Sequence, residues 1–251
     1  MSKTRFVAFA TQKGGIGKST ITALVANYFH NVKGYNVAVI DCDEPQYNLA
    51  DLRDEELELI KSSDYFKAQA CEHFKKLGKK SFSVTRSNAV NALDDAETVL
   101  LESEVKLDFI FFDMPGTIKS EGVMKTLSQM DYIFVPVSAD RFVVESAMSF
   151  MQLFHDNFLV QGWSVTKELA FFWTMVDKRE RTNLYEVYEG MFASLGYSLL
   201  NTRLPDKRFR RELSENRKAV FRSTIFPADP NLLRGSGIKE LSDEICEIIK
   251  T

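Results

Sequence analysis

Residues 12 to 20 read Gln12-Lys13-Gly14-Gly15-Ile16-Gly17-Lys18-Ser19-Thr20. Glycines, lysines and hydroxyls at this spacing suit a polyphosphate. Gly14, Gly15 and Gly17 let the backbone approach an anion with no Cβ in the way. Lys18 would reach the β- and γ-phosphates, and the Ser19 hydroxyl would sit on Mg²⁺. Ile16 and Thr20 complete the stretch expected to line the nucleotide. The ordinary loop pattern has glycine at position 12, where Gln12 stands. In exchange there is a second lysine, Lys13, which needs a task other than the phosphates that Lys18 already serves.

Two acidic segments follow. Asp41-Cys42-Asp43-Glu44-Pro45-Gln46 closes one apolar run, and Phe109-Ile110-Phe111-Phe112-Asp113-Met114-Pro115-Gly116 is another apolar run ending in an acid. Carboxylates at strand ends beside a phosphate loop can order a metal-bound water or the attacking water. Asp113 is expected at the Mg²⁺ water shell. Strand-end aspartates also serve as turn or helix caps.

These groups need strands and helices to position them. The loop lies between an apolar run, Phe6–Ala10, and a helical pattern, and that context aims loop amides and a helix N-terminus at one anion. Further strands are expected at Asn36–Asp41, Leu107–Asp113, Tyr132–Val137 and Leu169–Val176, with a weaker one at Ser81–Thr85. Helices are expected at Ser19–Val32, Leu52–Leu77, Asn88–Glu102, Val123–Gln129, Ser146–Gln161, Leu184–Leu195 and Ile238–Ile249. The alternation implies an α/β P-loop fold: one mainly parallel twisted sheet with helices on both faces. Residues 1–251 are expected to form one domain, since 251 residues suffice for one large core.

At 45% apolar and 27% charged residues, disordered and fibrous classes are excluded. No apolar run reaches membrane-spanning length. The short polar N-terminus carries no signal-peptide pattern, so a cytoplasmic location is expected. Cys42, Cys71 and Cys246 are widely spaced, and no zinc or redox pair is indicated.

The Lys13-Gly14-Gly15-Ile16-Gly17-Lys18-Ser19 loop resembles the deviant Walker A loop of the ParA/MinD/Soj family of P-loop ATPases. The resemblance runs from Phe6 to Pro205, and more loosely from Gly235 to the end. The chain looks closest to ParA-type partition ATPases of plasmids and mobile elements. This implies ATP and Mg²⁺ as ligands, an ATP-dependent homodimer and slow hydrolysis stimulated by a ParB-like partner. It implies Lys13 acting across the dimer on the partner's nucleotide. It also implies Asp43 positioning the hydrolytic water, Asp41 supporting the Mg²⁺ region and the Gly116 N–H meeting the γ-phosphate. The family motif is D-x-D-P-Q, and here Glu44 is inserted before Pro45, so either Asp43 or Glu44 points at the γ-phosphate. Thr174, Pro205 and Asp206 correspond to the walls of the base pocket, or are polar caps of strand termini.

Between Arg203 and Arg222, eight basic residues oppose three acidic ones, on a chain of net charge −3. Arg208, Arg210, Arg211, Arg217, Lys218 and Arg222 would neutralise phosphates without reading sequence, giving salt-sensitive, non-specific DNA binding on the nucleoid. The bland reading is a solvated helix face. MinD-type relatives carry a basic amphipathic tail for the membrane. The last helix here holds Glu240, Asp243, Glu244 and Glu247, which anionic lipid repels, so no membrane role is expected. The alternatives to a partition ATPase are a MinD-like positioning ATPase acting on a membrane or protein partner, and a metabolic enzyme of the same fold.

Overall fold

The computed structural model describes residues 3–117, 121–177, 183–206 and 219–250. Seven strands form one sheet: β1 (Arg5–Phe9), β2 (Val37–Asp41), β3 (Ser83–Arg86), β4 (Phe109–Asp113), β5 (Tyr132–Val137), β6 (Glu168–Val176) and β7 (Ser198–Pro205). Their order is β3-β2-β4-β1-β5-β6-β7, and every pair is parallel. Nine α-helices lie among the described residues: α1 (Lys18–Asn31), α2 (Asn48–Ser62), α3 (Asp64–Leu77), α4 (Ala92–Glu102), α5 (Glu121–Ser128), α6 (Arg141–Phe154), α7 (Leu184–Ser194), α8 (Pro230–Leu233) and α9 (Ile238–Lys250).

The sheet is covered on both sides. One core joins Ala8, Ile40, Ile110 and Phe112 to residues of α4, α5, α6 and α7, such as Ala96, Leu127, Phe150 and Phe192. The other joins Val7, Phe9, Val39 and Phe111 to Leu24 and Phe29 of α1 and Leu241 and Ile245 of α9. Burial on both faces is why β2, β4 and β5 read as unbroken apolar runs rather than alternating ones.

Helix α2 starts four residues before the expected Leu52 and the short α8 was not expected; three other departures have a clear local reason. The run expected as a single helix over Leu52–Leu77 is two helices. Ser63 takes an extended conformation between them, and its hydroxyl accepts the Phe66 N–H to start α3. Helix α4 starts at Ala92 because the Asn88 side chain accepts the N–H groups of Val90 and Asn91, which holds a turn. Helix α6 starts five residues before the expected Ser146, with Asp140 as its cap, the Val143 N–H donating at 3.0 Å. It ends in a π-helical turn, His155–Leu159.

Strand β7 was not expected at all. It sits at the sheet edge with an alternating polar pattern. The carboxylate of Glu244 on α9 accepts the N–H groups of Asn201 and Thr202, at 2.6 and 2.8 Å.

His30, on α1, is 3% exposed, with its Nε2 3.0 Å from the Lys80 carbonyl. Burial, then the positive charge of Lys79, pushes its pKa down to about 4, and Arg53 and His73 add to the effect. The unfolded chain therefore takes up a proton that the folded chain refuses. The contribution of His30 is fully present above about pH 6.5. It is lost as pH falls from there through about 4. Urea midpoints should fall over that window, and His30→Gln should flatten the slope. An unchanged slope would assign the acid sensitivity elsewhere.

Candidate functional site

Strands β2, β4 and β1 are adjacent, and the register sets Phe9 and Asp41 beside Asp113. Their C-terminal ends therefore deliver the glycine loop and both acidic segments to one edge of the sheet, where open α/β sheets bind ligands. A cleft of about 860 Å³ lies there, lined by Lys13 to Thr20, Asp43, Gln46, Asn48, Gly116, Met175, Asp206 and Arg222.

The loop passes into α1 through Gly17, which caps the helix at φ 87°, and Gly15 has φ 81°. Both conformations are strained for any residue with a Cβ. Gly116 packs its Cα side against Gly14, where an added Cβ would lie 3.6 Å from the Gly14 backbone.

Lys18 is buried, and its Nζ lies 2.7 Å from Asp113 Oδ1 and 3.9 Å from Asp43 Oδ2. It also reaches the Ser19 hydroxyl at 3.4 Å. The Thr22 hydroxyl, one turn into α1, donates to the Lys18 carbonyl at 3.0 Å and lies 3.4 Å from Asp113 Oδ1. Asp113 is fully buried, and its Oδ2 has no hydrogen-bond partner among the described residues.

Asp43 and Gly116 both line the cleft, so the two acidic segments meet at the loop. Burial raises its pKa, while Lys18 and the Gly116 N–H oppose that rise. Glu44 is exposed and does not line the cleft.

Asp41 faces another way. Its Oδ2 accepts the N–H groups of Leu49 and Ala50 in the first turn of α2, both at 3.0 Å, and its Oδ1 accepts that of Asp43 at 3.3 Å. The carboxylate caps α2 and stiffens the turn that carries Asp43. Burial, then the charge of Asp113, raises its pKa to about 6.

Lys13 is exposed, with its ammonium 5.6 Å from the centre of the Phe142 ring at the start of α6. Gln12, which replaces the usual glycine, accepts a 2.8 Å hydrogen bond from Ser146 of the same helix. The front of the loop therefore leans on α6, away from Lys18.

Of the base-pocket candidates, Asp206 lines the cleft. Thr174 is buried, and the side chain at that strand end which lines the cleft is Met175, at φ 56°. Pro205 ends β7 beside Gly237 and is not on the cleft wall.

The basic residues divide. Arg208, Arg210, Arg211, Arg217 and Lys218 lie outside the described residues. Arg222 is in the cleft itself, its Nη1 donating to the Thr20 hydroxyl at 2.8 Å. Gln46, Asn48 and Met175 line the cleft without having been picked out from the sequence. The first two sit just past the Asp43 turn, and polarity there was the available signal.

The residues fit a magnesium nucleotide. No group of three or more His, Cys, Asp or Glu among the described residues could hold a metal ion unaided. That is the ordinary case for Mg²⁺, which keeps several waters and binds through one or two carboxylates plus substrate phosphates. The Oδ2 of Asp113, without a partner among the described residues, and the Ser19 hydroxyl on the cleft wall are the groups that could take up that task.

A family model described as ATPase MipZ matches residues 5–186. No curated protein matches the chain. The fold is similar to that of a plasmid partition protein from Borrelia burgdorferi B31 bound to AMPPNP, at a TM-score of 0.59 and 18% identity over 98% of both chains. It is similar to a chain of the MinC:MinD cell division protein complex from Aquifex aeolicus, at 0.62 and 14% over 97% of this chain and 96% of that one. It is also similar to cobyrinic acid a,c-diamide synthase from Mycobacterium smegmatis with an ATP analogue and magnesium, at 0.59 and 18% over 99% and 96%.

Proposed function

Because the chain belongs to the MipZ family of ATPases, within the ParA/MinD group, we propose that it is a dimerising, DNA-binding switch that partitions a plasmid, chromosome or mobile element. The observation that carries this reading is the position of Lys13. Lys18 occupies the inner place at the head of α1, whereas Lys13 is exposed and rests on α6 outside that cluster. A second loop lysine standing apart from the Lys18 cluster, at the open front of the cleft, is what a nucleotide shared between two protomers requires.

In this reading ATP is the substrate and one protomer forms one domain. Ser19 and Asp113 hold Mg²⁺, which when bound neutralises charge on the phosphates. Lys18 leaves Asp113 for the β/γ-phosphates, Asp43 orients water, and the Gly116 N–H faces the terminal phosphate. Asp43 is favoured over Glu44 because it alone lines the cleft. Asp41 acts one step back, as the cap that fixes the Asp43 turn. Asp206 and Met175 wall the base. Hydrolysis is slow and needs a ParB-like protein to accelerate it.

The basic stretch between Arg203 and Lys218 supplies the DNA surface, and DNA places the ATP-bound dimer on the nucleoid. No helix among the described residues is long and apolar enough to cross a membrane. The last helix, α9, turns Ile238, Leu241, Ile245 and Ile249 into the core, so its apolar face is already used.

Binding to a random DNA duplex, with ATP, ADP or no nucleotide at two salt concentrations, tests the reading. Binding with ATP alone, weakened about 10³-fold or more between 50 and 200 mM salt, is expected for a surface making six or more phosphate contacts. ATP binding without DNA binding in any state would redirect the search to a protein, lipid or small-molecule target.

A further inference from the structure

We propose that Arg222 is a nucleotide ligand supplied by the same chain, acting on the phosphates nearest the ribose. The proposal rests on the reading of the cleft as an ATP site. Arg222 reaches the glycine loop from a segment 202 residues away, and its guanidinium meets the Thr20 hydroxyl in the first turn of α1. The N-terminus of a helix is the positive end of its dipole. A guanidinium set against it gains from an anion between them, and its flat fork of donors matches phosphate oxygens.

The arginine is also fixed in place, as a preorganised ligand must be. The residues after it are clamped to both helices that frame the cleft. On α1, the buried Asn27 amide donates to the carbonyls of Ser223 and Phe226, both at 2.8 Å. On α2, Arg53 donates to the Thr224 hydroxyl at 2.8 Å and to its carbonyl at 2.6 Å. Glu56 accepts the Thr224 N–H at 2.8 Å. Arg53, Glu56, Ser223 and Thr224 are all buried. A polar clamp of this size holds the neighbouring Arg222 at a set position relative to the loop.

The location within the cleft selects the phosphates. Lys18, Asp43, Asp113 and the Gly116 N–H form one cluster, at the place of the terminal phosphate. Arg222 contacts Thr20, which lies outside that cluster and follows the metal-binding serine. ADP and ATP share the phosphates expected there.

Calorimetric titration with Mg-ADP and with a non-hydrolysable Mg-ATP analogue tests this on wild type, Arg222→Ala and Arg222→Gln. Both variants should weaken both nucleotides by the same factor, about 10- to 100-fold. Glutamine keeps a donor for Thr20 but no charge, so wild-type affinity in Arg222→Gln would make the residue a brace for Thr20 and overturn the proposal. Loss confined to the ATP analogue would move it to the terminal phosphate and also overturn it. Intact nucleotide affinity with lost DNA binding would return Arg222 to the DNA surface. Melting without nucleotide checks folding, and Arg222→Gln carries the comparison if the alanine variant does not fold. Wild type that binds neither nucleotide would instead remove the ATP reading of the cleft.

Discussion

Lys18→Ala is expected to lose hydrolysis by at least about 10²-fold and, separately, to lower the folding free energy of the nucleotide-free protein by about 3 kcal/mol. The first effect is the loss of the cation that faces the β/γ-phosphates. The second arises because Lys18 is itself buried against a carboxylate that has no exposure to water. Removing the ammonium leaves Asp113 with the Thr22 hydroxyl 3.4 Å away and, among the described residues, no opposing charge in contact. An uncompensated buried charge is the costly case, more costly than removing both members of a pair. Urea unfolding without nucleotide measures it. Adding Asp113→Asn to Lys18→Ala should recover most of the loss in stability and none of the hydrolysis. A single variant as stable as wild type would show that Asp113 does not depend on Lys18.

Lys13→Ala is expected to leave nucleotide affinity near that of the wild type while removing the ATP-dependent dimer. Turnover should fall about 10³-fold, the scale of a cation supplied across an interface to phosphoryl transfer. The contact of Lys13 with Phe142 is no obstacle to its release. A cation over an exposed ring contributes about 0.5–1 kcal/mol, and Phe142 is 66% exposed. Light scattering with a non-hydrolysable ATP analogue reads the dimer directly. A Lys13→Ala protein that still dimerises and turns over would remove the trans role and leave the lysine to its own loop.

The parts of the site that could be read in the sequence are those carried by one short segment. The loop from Lys13 to Thr20 lines the cleft, and Asp43, Gly116 and Asp206 join it there. All six expected strands lie within two residues of their observed ends; β2, β4 and β5 are the plainest, because a strand buried on both faces leaves an unbroken apolar run. What escaped was set by contacts across the chain. Arg222 carries the same charge as its basic neighbours, and nothing local tells a cleft arginine from a surface one. Its place comes from Asn27, Arg53 and Glu56, on two other helices. Strand β7 is an edge strand with only two buried residues, and two of its N–H groups find their partner in a glutamate on α9, so nothing in its own residues marks it as strand. Asp41 shows the converse: a carboxylate in the right motif can be spent on capping a helix.

The sheet order also bears on how the chain is made. Strand β1 carries the glycine loop, yet its neighbours are β4 and β5, with Arg5 beside Phe109 and Val7 beside Tyr132. At ribosomal rates of about 5–20 residues per second, a hundred intervening residues take roughly 5–20 s to appear. Through that interval β1 is an apolar strand with both edges bare, and no nucleotide can hold it, since the floor of the cleft has yet to be synthesised. The strand that carries the glycine loop therefore waits longer for its first neighbour than any other strand of the sheet, and through that wait it is open to capture by a chaperone or to aggregation.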